Sequence, residues 1–259
     1  MLPNKKRTAN RSFQVPGFAA TGISCGIKNN KEKDLALIFS EEPAVAAGVF
    51  TTNKVVSPTV TWCRKILGSS KIFRAIVVNS GNANACTGKR GMKDCEILTG
   101  ELAKSLSISS REILIASTGI IGVPLPAKKI VASLDRLTGQ LSKSNWKETA
   151  QAIMTTDLVS KTDAVSYTRA GKKITIGGIA KGSGMICPNM ATMIAVLTTD
   201  VAIAPGALKA ALNAAVGKSF NCITIDGDMS DAQICALQNN TMHFNVVAEM
   251  EEDKPEPEP

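Results

Sequence analysis

Two apolar patterns take turns along this 259-residue chain, and their alternation decides the fold class. Leu35–Phe39, Ala44–Phe50 and the apolar-rich run Ile72–Val78 read as strands, the last suited to a buried position. Helical spacing follows the second and the third. Ser57-Pro58 sets an N-cap ahead of a first-turn proline and predicts a helix to about Leu67. Asp94–Leu106 carries Ile97, Leu98, Leu102 and Leu106 at helical spacing. Pro126–Leu141 spaces Ile130, Leu134, Leu137 and Leu141 for one amphipathic helix. Trp146–Met154 and the stretch Leu208, Leu212, Val216 and Phe220 after Pro205 predict two more. Glu112–Ala116, Met193–Thr198 and Ile223–Ile225 read as further strands. Ala164–Thr168 and Lys173–Ile179 read as a hairpin turning at Ala170-Gly171. The layout is mixed α/β, a layered arrangement of sheet and helices. Residues 1–238 read as one domain and 239–259 as a divergent acidic tail. That tail is expected to be disordered, since Lys254–Pro259 has no apolar surface to bury.

Composition removes several functions. His243 is the only histidine, so a Ser-His-Asp or Cys-His mechanism would have to recruit it from beside the acidic tail, and a His-rich zinc site is not available. The cysteines (Cys25, Cys63, Cys86, Cys95, Cys187, Cys222 and Cys235) are odd in number with no C-x-x-C spacing. They read as reduced thiols of a cytosolic protein rather than a disulfide framework or metal site. Net charge is +8, and residues 249–259 mask a more basic body of 29 bases and 16 acids, or +13. Such a body attracts anions. Only 4% of residues are aromatic, too few for the stacking platforms of a single-strand nucleic-acid binder. No apolar run approaches 18 residues, so no membrane span is expected. Met1–Arg11 is basic without an apolar stretch, which excludes a secretory signal; the expected location is cytoplasmic, or mitochondrial in a eukaryotic source.

Three loops follow strands, where sites sit on rigid scaffolds. They are Asn79–Gly88, Ser117–Gly122 and Ala180–Met193. Gly177 to Gly182 has phosphate-loop spacing, but Ser183 stands where the lysine is required. With no usable histidine, a hydroxyl nucleophile needs another base. A free α-amino group, with a reference pKa of about 7.7–8.0, can serve its own residue. Thr192 would gain one if its hydroxyl attacked the Ala191 carbonyl and the resulting ester were hydrolysed. By composition alone Thr198 and Thr199 are equal candidates.

Ala46–Asn53, Asn79–Gly88, Thr118-Gly119, Lys181–Ile186 with Asn189–Met193, and Phe220-Asn221 with Asp226–Ser230, in this order, closely resemble the ornithine acetyltransferase (glutamate N-acetyltransferase) family of arginine biosynthesis. The resemblance implies that family's self-processing, Thr-nucleophile sandwich fold and self-cleavage between Ala191 and Thr192, giving chains of 191 and 68 residues (259 less 191). It implies Thr192 as nucleophile, Thr118 and Gly119 as oxyanion hole, and Thr155 and Lys181 as substrate contacts. The implied reaction moves acetyl from N-acetylornithine to glutamate without cofactor or metal, with acetyl-CoA an open second donor. The implied assembly is a heterotetramer of the cleaved chains, with no nucleic-acid or membrane partner. Family members continue differently after Met229-Ser230 and carry a longer C-terminal portion with further substrate contacts. The chain therefore reads as a C-terminally truncated member, with an impaired remnant, an amide hydrolase of the same fold and a basic nucleic-acid binder as the other readings.

Overall fold

Nine strands form one hydrogen-bonded sheet among the described residues. The computed structural model describes residues 6–7, 13–169, 171–184, 193–223, 225 and 233–242; Ala191 and Thr192 lie outside them. The strands are β1 (Lys6–Arg7), β2 (Phe18–Ile23), β3 (Leu35–Phe50), β4 (Phe73–Asn82), β5 (Ile113–Ile120), β6 (Lys161–Arg169), β7 (Lys172–Lys181), β8 (Ile194–Val201) and β9 (Gln233–Met242). Their order is β1-β6-β7-β8-β9-β3-β4-β5, with β2 added beside β3. The helices are α1 (Pro58–Ser69), α2 (Gly88–Leu106), α3 (Ala127–Val131), α4 (Leu134–Gly139), α5 (Trp146–Ala152) and α6 (Pro205–Gly217).

β3 joins the two halves of the sheet. Residues 35–40 lie between β2 and β4, whereas residues 44–50 pair with β9. The expected separate strands Leu35–Phe39 and Ala44–Phe50 are thus one strand with a register shift between them. Arg74, the cation inside the apolar run of β4, secures the irregularity. Its guanidinium donates to the Ser40 and Glu41 carbonyls at 2.8 and 2.9 Å and lies 5.0 Å from the Phe39 ring centroid.

Local chemistry accounts for the helices. The Ser57 hydroxyl accepts from the Val60 N–H, and Pro58 occupies the first turn. α1 buries Trp62, Cys63 and Ile66, and the Trp62 indole donates to the Ile113 carbonyl. α2 begins at Gly88, earlier than Asp94, because the Asn84 side chain donates to the Gly91 carbonyl and fixes the first turn. A Cβ on Gly91 would sit 2.5 Å from Asn84 Oδ1, so the close approach requires glycine. The helix expected over Pro126–Leu141 is instead α3 and α4. Ile130, Leu134 and Leu137 are buried as the spacing predicts, but the Ser133 hydroxyl donates to the Lys129 carbonyl and the chain breaks there.

The main core lies between β2–β5 and their helices and continues under α5, where Trp146 stacks on Phe13 at 4.8 Å. A smaller cluster packs Leu208, Leu212 and Val216 of α6 on Ala47 and Ala195. Helices therefore cover the sheet in layers, as the α/β reading requires. Phe220 falls in a 3₁₀ turn beyond α6. Ile223 and Ile225 are exposed and lie in no strand. The strand that enters the sheet there is β9, which runs through the boundary drawn between residues 238 and 239.

Candidate active site

β4 and β5 run parallel and end side by side, with Gly81 opposite Gly119. β7 ends at Lys181 against them, and the Lys181 ammonium donates to Thr118 Oγ1 at 3.1 Å. A cleft of about 700 Å³ opens at this junction, lined in part by Lys28, Gly81, Thr118, Gly119, Thr155 and Lys181. Of the residues singled out in the sequence, Thr118, Gly119, Thr155 and Lys181 are therefore brought together. Ala191 and Thr192 lie outside the described residues, but one flank of their segment is at the cleft. Gly184 lines it, and Ile194 is the ladder partner of Lys181.

Gly119 has φ 134°, and a Cβ there would lie 2.4 Å from the Gly81 carbonyl carbon. No other residue fits without moving β4. Lys181 is 3% exposed, and burial pulls its ammonium below the usual lysine range, an effect opposed by the charge of Asp157. Its bond to Thr118 occupies an acceptor position of that hydroxyl. The hydroxyl hydrogen is left to donate elsewhere.

Asp157, which sequence reasoning missed, ties the loops together. Its carboxylate accepts from the Gly182 N–H at 2.8 Å and the Thr155 N–H at 3.3 Å and pairs with Lys161. Burial pushes its carboxyl up, but the hydrogen bonds from Lys161, Gly182 and Thr155 outweigh that and hold it below the usual range. The carboxylate folds back onto the N–H of the residue two before it, opposite to the usual forward Asx turn, so no local sequence signal marks it. Asparagines of the first loop are structural ties. Asn79 accepts from Ser117 at 2.6 Å, and Asn82 donates to the Val123 carbonyl at 3.0 Å.

Competing readings fall away on geometry. Gly177–Lys181 is strand, not phosphate loop, and a Cβ on Gly177 would strike Phe13. The Thr198 and Thr199 hydroxyls are buried and donate to the Gly177 and Thr175 carbonyls across the sheet. Burial pushes the Cys25 and Cys95 thiols up to about 12, so neither supplies a thiolate at neutral pH. The described cysteines are free thiols. Among the described residues no cluster of three His, Cys, Asp or Glu side chains is placed to hold a metal, and no helix is long and apolar enough to cross a membrane.

The family model for ArgJ matches residues 19–257. The chain belongs to the ArgJ family. The arginine biosynthesis bifunctional protein ArgJ 1 of Clostridium acetobutylicum is 44% identical over 251 residues, covering 97% of this chain and 60% of that protein. Across the first curated ArgJ relatives, the chain spans 53–60% of their length. Ornithine acetyltransferase from Mycobacterium tuberculosis, solved in complex with ornithine, aligns with a TM-score of 0.64 at 36% identity, covering 71% of this chain and 98% of that one. The fold is thus of the ornithine acetyltransferase type. At 14% identity and a TM-score of 0.51, an L-aminopeptidase D-Ala-esterase/amidase from Ochrobactrum anthropi shares only the fold, a variant of the Ntn-hydrolase architecture; 86% of this chain and 72% of that one are covered.

Proposed function

We propose that this ArgJ chain cuts itself between Ala191 and Thr192 and uses the freed Thr192 to carry acetyl from N-acetylornithine to glutamate. The observation that carries the reading is the meeting of Thr118, Gly119, Thr155 and Lys181 at one cleft that Gly184 also lines, with Ile194, on the other side of the Ala191-Thr192 segment, paired to Lys181. In the cut, Thr192 Oγ bonds to the Ala191 carbonyl carbon as the C–N bond breaks. Water then hydrolyses the ester, leaving the Ala191 carboxylate and a free α-amine on Thr192.

In transfer, the Thr192 hydroxyl attacks the acetyl carbonyl and its proton passes to the α-amine. The Thr118 hydroxyl and the Gly119 N–H stabilise the developing oxyanion, a contribution of about 3–4 kcal/mol for a well-placed donor. The proton leaves with the ornithine amine, and acetyl-Thr192 remains. The amine of glutamate attacks that ester and regenerates Thr192. Thr155 offers a polar contact, and the Lys181 ammonium, which keeps N–H groups beyond the one given to Thr118, pairs with the substrate α-carboxylate. The steps as written use no metal or cofactor. Acetyl-CoA would serve as a second donor through the same acetyl-Thr192, in keeping with the word bifunctional in the relatives' names.

The aligned lengths support the cut. Nearly all of the M. tuberculosis chain is matched by 71% of the 259 residues here, about 184, close to what a chain ending near Ala191 would give. The test is a denaturing gel of the purified chain with N-terminal sequencing. Two pieces are expected, the smaller beginning Thr192-Met193, and Thr192→Ala should stay whole. A wild-type chain that remains intact after long incubation overturns the reading.

A further inference from the structure

The acetyl-transfer reading leaves two charged residues of the cleft, Lys28 and Glu32, without a task. Both lie on the loop between β2 and β3. That loop is held rigid by Asp34, whose buried carboxylate accepts from the backbone N–H groups of Cys25 and Ile27 at 2.6 Å and Lys28 at 3.0 Å. The Lys28 ammonium crosses the molecule to donate to the Met154 carbonyl at 2.8 Å, next to Thr155, and to the Lys33 carbonyl at 3.0 Å. Two of its N–H groups are thus committed and the third remains for the cleft. Its side chain is 12% exposed, whereas that of Glu32 is 61% exposed. The two charges stand 3.8 Å apart, beyond hydrogen-bond length, so each keeps capacity for another partner. The other nearby carboxylates, Asp34 and Asp157, are occupied by backbone amides and Lys161.

A cleft that serves this reaction faces an unusual demand. It must take ornithine and glutamate in turn, two amino acids alike at the α-carbon but opposite in side-chain charge. Lys181 answers only for the shared end. We infer that Lys28 and Glu32 form a two-signed side-chain subsite, in which Glu32 receives the side-chain ammonium of the ornithine donor and Lys28 the side-chain carboxylate of the glutamate acceptor. Each member of the pair offers its own charge to the ligand that matches it, so one position serves both half-reactions. This assignment rests on the acetyl-transfer reading and names the specificity elements within it.

The experiment is equilibrium titration of the full chain with matched ligands: glutamate against its uncharged amide glutamine, and ornithine against norvaline, which lacks the terminal amine. Wild type is expected to prefer the charged member of each pair. Lys28→Met should reduce the glutamate-over-glutamine preference about tenfold, the loss of one charged hydrogen bond, and leave ornithine over norvaline unchanged. Glu32→Gln should do the reverse by about threefold, as its exposure dictates. Glu32 anchors no backbone, so its variant tests the idea even where Lys28→Met loosens the Met154 contact. A variant that weakens all four ligands alike, or shifts neither preference, overturns the subsite and leaves the acetyl-transfer reading standing. Wild type that binds none of the four overturns both.

Discussion

Asp157→Asn is the sharpest probe of how the cleft is held. The native carboxylate has a fully buried side chain, accepts two backbone N–H groups and pairs with Lys161. An amide keeps the shape but loses the charge, and its NH₂ must face one of those donors. Charged hydrogen bonds contribute about 1.5–3 kcal/mol net against about 0.5–1.5 for neutral ones, so weakening two costs about 2 kcal/mol. The Lys161 side chain is half exposed and can turn to water, which limits its share to under about 1 kcal/mol. The expected loss is about 2–3 kcal/mol, or about 5–10 °C in Tm for a chain of this size. Measurement belongs on a Thr192→Ala background, so that self-cleavage does not complicate the melt. The pH dependence carries the sign. The native carboxyl is held below its ordinary value, so its contribution is present above the unfolded pKa of about 3.9 and is lost as pH falls through the folded value. The gap between parent and variant should be flat from about pH 5 upward and close in acid. A gap below about 0.5 kcal/mol at pH 7, or one that widens on acidification, refutes the reasoning.

Three further outcomes are expected. Thr118→Val removes the acceptor of the buried Lys181 ammonium and the proposed oxyanion hydroxyl together; ornithine release should slow by at least tenfold with little change in KM, and unchanged kcat in a folded variant sinks the oxyanion assignment. Gly119→Ala drives a Cβ to within 2.4 Å of the Gly81 backbone and should lower the urea midpoint by several tenths molar; an unmoved midpoint shows that β4 yields freely. Lys181→Met removes an ammonium that burial disfavours and should raise Tm by a few degrees while abolishing transfer, and a fall of more than about 5 °C would mean the Thr118 contact outweighs desolvation.

What could be read in advance depended on how local the cause was. Ser57-Pro58 announces α1 because capping is settled within four residues. The β6–β7 hairpin is legible from its alternating runs and Gly171, whose φ of 74° a turn there requires. β2 and β9 went unread. Phe18–Ile23 is mostly small residues, and Gln233–Met242 is half polar, with four polar residues in a row at Gln238–Thr241; each is a strand because β3 offers it a partner. The site divides the same way. Thr118, Gly119 and Lys181 sit at strand ends whose wording resembles a family. Asp157 and Lys28 carry no such wording, and the Lys28–Met154 bond spans 126 positions in sequence, a relation only the folded chain expresses.

The strand order has a consequence for a chain cut between Ala191 and Thr192. β8 and β9 belong to the short piece, yet they are wedged in mid-sheet, β8 against β7 on one side and β9 against β3 on the other. Two flanking ladders would have to be unzipped at once to free it, and α6 would have to lift off Ala47. The severed segment is therefore less a ligand of the larger one than a keystone. Its release and global unfolding become the same event, so dilution alone should not separate the pieces, and a denaturant midpoint would report both together.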